Sequence, residues 1–202
     1  MNMFRKRWLL ALLMGVTGAS AADPIIPPGL EASPMPTLPP DTRCRLSVSN
    51  PVVDYGMMSR WQLEDIGAGR VSPGTRSLTV SVVCPYSRTL SLRVEGEDHD
   101  GGLRYGEHGT TRLRLLDAQL DGNAVELRTI TPADVITESG GQRLALNAGQ
   151  RLAPVMQGRL AEGKMLTARL EIQPVLAEGD ARVSSRQRSE TMLTLTLDDE
   201  YK

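Results

Sequence analysis

His99 and His108 are the only histidines of the 202-residue chain, and both fall in the stretch 95–109, EGEDHDGGLRYGEHG. With Glu97, Asp98, Asp100 and Glu107 they offer imidazole nitrogen and carboxylate oxygen, the donors that bind zinc and calcium. Their spacing matches neither an EF-hand loop nor a His-Glu-x-x-His helix. Lying between strands and rich in glycine, the stretch reads as a solvated hairpin loop, and no metal site is assigned. Nucleophilic catalysis fares no better. There is no Gly-x-Ser-x-Gly elbow, and a Ser-His-Asp set would depend on the same two loop histidines. No glycine-rich phosphate cradle is present. Asp198-Asp199-Glu200 reads as solvated, anti-aggregation charge, and the arginine–serine run Arg182 to Arg188 as an exposed loop. The expectation is a protein with no catalytic residues and no cofactor, not an enzyme.

The remaining reactive pair is Cys44 and Cys84, the only cysteines. Their state depends on the compartment, and the N-terminus speaks to that. Arg5, Lys6 and Arg7 precede an apolar stretch from Trp8 to Val16, followed by the small-x-small signal Ala19-Ser20-Ala21. This is the pattern of a cleaved secretory leader, 1–21, whose apolar run falls short of the roughly 20 residues that span a bilayer. No later segment comes close, so no membrane span is expected after cleavage. Export to an oxidising compartment predicts a Cys44–Cys84 disulfide.

Cleavage leaves 20 basic against 24 acidic residues, a net charge of −4, which argues against nucleic acid or an anionic membrane as partner. The only phenylalanine, Phe4, leaves with the leader, and Trp61 is the one tryptophan that remains. Platforms for stacking bases or sugars are hard to build from that. Residues 22–43 carry seven prolines (24, 27, 28, 34, 36, 39 and 40), which predicts a polyproline-like or disordered arm and a poor central strand.

The elements that must position these residues follow from a period of two. Leu78, Val80 and Val82 alternate with Thr79 and Ser81, and Leu90, Leu92 and Val94 with Ser91 and Arg93. Leu113 and Leu115, Leu144 and Leu146, then Leu166, Ala168, Leu170 and Ile172, and finally Leu193, Leu195 and Leu197 repeat the pattern. Such runs predict half-buried strands of four to eight residues. Ser72-Pro73-Gly74 and Asp121-Gly122-Asn123 are turn signals between them. The 44–202 domain is thus expected to be all-β, a sandwich.

Three features of that domain resemble the subunits of pili assembled by the chaperone–usher route. They are Cys44 leading into RLSVSNPVVDYG, with Asp54-Tyr55-Gly56 at its end, in the manner of fimbrial-like periplasmic proteins with Val-Asp-Tyr-Gly; Cys84 closing SLTVSVVC; and the last two strand-like segments, 163–175 and 190–202, with Tyr201 penultimate. The resemblance implies an immunoglobulin-like, pilin-type β-sandwich that is one strand short and receives a donated strand. It implies that Leu193, Leu195, Leu197 and Tyr201 line the groove and that the Lys202 carboxylate meets the chaperone's basic residues. The implied partners are a periplasmic pilus chaperone, an outer-membrane usher and other pilin subunits, with passage through the periplasm to a cell-surface fimbrium or retention in the periplasm. Two departures stand out. Ser189 occupies the fourteenth position from the end, where the family commonly has glycine, and the proline-rich arm suggests a subunit that accepts a strand but donates badly, as a minor or tip subunit would. The alternatives are a tip adhesin-like or periplasmic binding module, a two-domain pilus chaperone, disfavoured by the early cysteine pair, and a periplasmic enzyme.

Overall fold

The computed structural model describes residues 42–198. The expected leader, the expected arm up to residue 41, and residues 199–202 with Tyr201 and Lys202 lie outside them. In chain order the strands are β1 (Arg45–Val48), β2 (Glu64–Gly67), β3 (Arg70–Ser72), β4 (Arg76–Thr89), β5 (Leu92–Glu95), β6 (Asp98–His99), β7 (Gly102–Tyr105) and β8 (Gly109–Leu120). They continue as β9 (Asn123–Ala124), β10 (Glu126–Ile130), β11 (Ile136–Gly141), β12 (Arg143–Leu146), β13 (Arg151–Met156), β14 (Arg159–Leu160), β15 (Glu162–Ala177) and β16 (Thr194–Leu197). Among the described residues the one helical element is a 3-10 turn at Arg60–Gln62.

The strands form an all-β sandwich of two antiparallel sheets. One runs β1-β4-β15-β8-β7-β6, with β2, β3, β9 and β12 attached to it; the other runs β11-β10-β13-β5-β16, with β14 beside β13. Burial follows the alternation. Val80 and Val82 of β4, Leu92 and Val94 of β5, and Leu166, Ala168 and Leu170 of β15 all point into one shared core. Each such leucine or valine taken out of water contributes about 1.5–3 kcal/mol, which is why these runs face inward.

Several strands depart from the expected four to eight residues or from strict alternation. β4 and β15 run 14 and 16 residues. β8 changes parity midway. Leu113 and Leu115 face the core, and then Ala118 and Leu120, while Leu116 is buried outside that cluster. Asp117, at φ +53°, lies between the two sets where the ladder to β15 slips, a bulge that adds a residue and re-aims those beyond it. β13 shows no alternation, with Arg151 to Val155 all buried, and it contains Pro154. A proline is tolerated there because the Pro154 backbone faces the β14 side, where its carbonyl accepts from Ala161 N at 2.9 Å beyond the end of that short ladder.

Candidate functional site

Cys44 and Cys84 form the disulfide. It ties the start of β1 to the middle of β4, with Cα atoms 4.2 Å apart. Directly opposite residues of an antiparallel pair approach this closely, about 4.5 Å, where they exchange no backbone hydrogen bonds. The next bonds agree: Ser49 N donates to Thr79 O at 2.9 Å, so Ser49, Ser47 and Arg45 are the residues of β1 whose backbone faces β4. Cys44, Leu46 and Val48 turn their backbone groups the other way. No strand of the described residues lies on that side.

The last strand has the same construction. Asp198 N donates to Ser91 O at 3.0 Å, which makes Asp198, Thr196 and Thr194 the residues bonded to β5. Val94, opposite Leu195, turns instead to the β13 side, its N–H donating to Gln150 O and its carbonyl accepting from Gly149 N. Leu193, Leu195 and Leu197 therefore direct side chains at the core and backbone groups at an edge with no neighbour among the described residues.

Burial sets these two edges apart from the rest of the core. Val82 and Val80, opposite Leu46 and Val48, are 0% and 2% exposed, and Val94 and Leu92, opposite Leu195 and Leu197, are 0% and 1%. Leu46, Val48, Leu193, Leu195 and Leu197 are only half-buried. Apolar groups lose their water on the strand-neighbour side and keep it on the open side. Leu46, Val48, Leu193, Leu195 and Leu197 all pack against the same core cluster.

Polar contacts hold β16 at both ends. Behind it, the Asp198 carboxylate accepts from Arg151 Nε at 2.5 Å and from Arg93 Nε at 3.3 Å. Arg151, with a side chain only 7% exposed, also donates to Thr131 O at 3.2 Å and lies 3.5 Å from Asp134. Ahead of it, Thr191 Oγ1 donates to Arg104 O at 2.6 Å and is 2.5 Å from Thr111 Oγ1, which must then be the donor to it. Gly106 N donates to Glu190 O at 3.0 Å, and a Cβ on Gly106, at φ +63°, would lie 2.7 Å from Ser189 Oγ. Ser189, at the position where the resembled family commonly has glycine, thus packs on a glycine of another turn.

The histidine stretch is a hairpin. His99 ends β6, Asp100 and Gly101 make the turn with φ of +47° and +70°, and Gly102 starts β7. His108 lies beyond β7, exposed beside Glu107. Among the described residues no three of His, Cys, Asp and Glu come together as metal donors would. Residues 182–188 are exposed, with Arg182 donating to Glu178 at 2.7 Å. Together with Arg60, Arg182 holds the Glu178 carboxyl below its usual range through hydrogen bonds.

Sequence reasoning passed over two features. Tyr55 donates to Ile172 O at 3.1 Å beneath the Arg76 guanidinium, and burial pushes its phenol up to about 12, against the opposing pull of Arg76. Burial raises Tyr105 as well. The second feature is an apolar loop, with Val52, Met57 and Trp61 exposed, Trp61 at 91%. The loop is braced by Gly56 N donating to Asp54 Oδ1 and by the Arg60–Glu178 ion pair. Trp61 itself was the available signal, but its exposure is a property of the folded loop. No family model and no curated protein matches the chain.

Proposed function

We propose that this protein is a structural subunit of a chaperone–usher pilus, with an immunoglobulin-like, pilin-type sandwich completed by a strand from another molecule. The observation that carries the proposal is the pair of edges with no neighbouring strand among the described residues, where Leu46, Val48, Leu193, Leu195 and Leu197 pack against one core yet stay partly exposed. An extended segment laid there would gain backbone hydrogen bonds and cover leucine at once, the physics of strand addition. Left open, such an edge is a template for unwanted pairing.

On this reading the partners are a periplasmic pilus chaperone, an outer-membrane usher and other pilin subunits. The protein travels through the periplasm and ends in a surface fimbrium as a minor or tip subunit. Tyr201 and Lys202, beyond the described residues, would extend the groove and meet the chaperone. Its role is structural, not enzymatic. A second reading, a tip adhesin-like or periplasmic binding module outside the repeating fibre, is favoured by the braced and exposed Trp61 loop, since aromatic side chains anchor protein interfaces.

Expression with and without a cognate pilus chaperone tests the proposal. A 1:1 complex that rescues a protein otherwise aggregated or degraded is expected. A chain equally soluble alone, with no complex formed, refutes it.

A further inference from the structure

The outer face of the first sheet carries a group of polar side chains that engage nothing within the protein. Directly opposite residues of an antiparallel pair project to the same side. Arg114 lies opposite Glu171, and Arg112 opposite Gln173. They alternate with Leu113, Leu115, Leu170 and Ile172, which pack on the core, so they point outward. With Thr75, which precedes β4, Arg112, Arg114, Glu171 and Gln173 line one shallow depression. Among the described residues none of these side chains makes a hydrogen bond or an ion pair. Arginines elsewhere do pair with a nearby carboxylate, Arg169 with Asp117 and Arg104 with Glu97. Arg114 and Glu171, although opposite, do not.

We infer that this depression is a binding site for an acidic sugar, a monosaccharide unit with one carboxylate among several hydroxyls. The guanidinium groups of Arg112 and Arg114 outweigh the carboxylate of Glu171 by one charge, which one ligand carboxylate neutralises. A guanidinium presents a planar fork that holds a carboxylate through two parallel N–H···O bonds. Glu171 narrows the choice further. A carboxylate only accepts, so it repels a bare sulfate or phosphate and calls for a donor, which a sugar hydroxyl supplies. Gln173 and Thr75 both donate and accept, and suit the remaining hydroxyls. Neighbouring groups are about 5 Å apart across the strands and about 7 Å apart along them, the scale of one sugar ring. No aromatic side chain lines the depression, so stacking plays no part.

The site is independent of strand acceptance. β4 separates β15 and β8 from the β1 edge, and the depression opens on the face away from the core. A strand added at either edge leaves it uncovered.

Titration of the whole exported protein with D-glucuronate, followed in nitrogen–proton correlation spectra at low ionic strength, tests the site. The backbone amides of Arg112 and Arg114 and the side-chain amide of Gln173 should shift together and saturate. A Kd of about 1 mM is expected, which a ligand of this size reaches at ordinary efficiency. Neutral D-glucose should shift none of them. Arg112→Gln and Arg114→Gln should each weaken binding about tenfold. Arg143→Gln, opposite Leu116 on the same face but outside the depression, should leave Kd within about twofold. Inorganic sulfate should bind the wild type about fivefold more weakly than glucuronate, and Glu171→Gln should close that gap. Absence of saturation by about 20 mM glucuronate overturns the site. Wild-type shifts from sulfate as strong as those from glucuronate, or equal losses in Arg143→Gln and Arg114→Gln, would mean a diffuse anion-attracting face and overturn the sugar assignment.

Discussion

Replacing both cysteines with alanine tests how the first rim is held. The disulfide closes a separation of 40 residues. In the chain-entropy treatment, a cross-link over about 40 residues takes roughly 13 cal/mol/K from the unfolded ensemble, or about 4 kcal/mol at 25 °C. For a domain of this size each kcal/mol moves Tm by about 2–4 °C, so the double variant should melt about 8–16 °C lower. A local effect should accompany the global one. β1 has only four residues and, among the described residues, one neighbouring strand, β4, so it depends chiefly on that ladder and on the half-buried Leu46 and Val48 once the bond is gone. The amides of Ser47 and Ser49, bonded to β4, should then exchange faster than those of Leu166 and Leu170 in the centre of the same sheet. Calorimetry with and without reductant, combined with amide exchange, measures both effects. A Tm loss below about 3 °C, or equal loosening of β1 and β15, would show that the rim is held by something else.

Other perturbations separate core from rim and strain from packing. Leu152→Ala, at a fully buried site, should destabilise by about 2–5 kcal/mol in denaturant titrations, whereas Leu195→Ala at the half-buried rim should cost about 1 kcal/mol. The same Leu195→Ala change should nonetheless weaken chaperone capture more than Leu152→Ala does in protein that remains folded. Gly106→Ala must hold a side chain at φ +63° against Ser189 and should lower stability by about 1–2 kcal/mol. For Tyr55, burial raises the folded pKa to about 12 above an ordinary value of 10, so the unfolded chain releases its proton first as the solution becomes alkaline. Its contribution is complete below pH 10 and is lost between about 10 and 12, so Tyr55→Phe should flatten the decline of stability over that window, seen by urea titration at stepped pH. Trp61→Ala, at an exposed site, should change stability by less than about 0.5 kcal/mol.

Alternation made the half-buried strands legible. The runs around Val80, Leu92, Leu166 and Leu195 are where the structure has β4, β5, β15 and β16, because a strand with one wet face must alternate. β13 was not legible, because a strand covered on both faces does not alternate and Pro154 argues against a central position. The second half of β8 was hidden by the bulge at Asp117, which shifts Ala118 and Leu120 onto the parity that reads as outward. At the site, the leucines of β16 were visible as a repeat. The tethers were not, since Thr191, Thr111, Arg151 and Asp198 are brought together across separations of 80 and 47 residues, and no local pattern encodes that. The half-exposure of Leu46 and Val48, which makes β1 the matching rim, likewise appears only once the sheet order is known.

Everything proposed for function requires that the outer side of β16 be open to a visiting strand. Residue-resolved amide exchange on the partner-free protein measures that side directly. Thr194, Thr196 and Asp198, whose N–H groups point to β5, should be protected, while Leu195 and Leu197 should exchange nearly as fast as in an unfolded chain. Leu195 and Leu197 amides as slow as that of Thr196 would mean the chain already covers its own edge, and strand acceptance would have no place to occur.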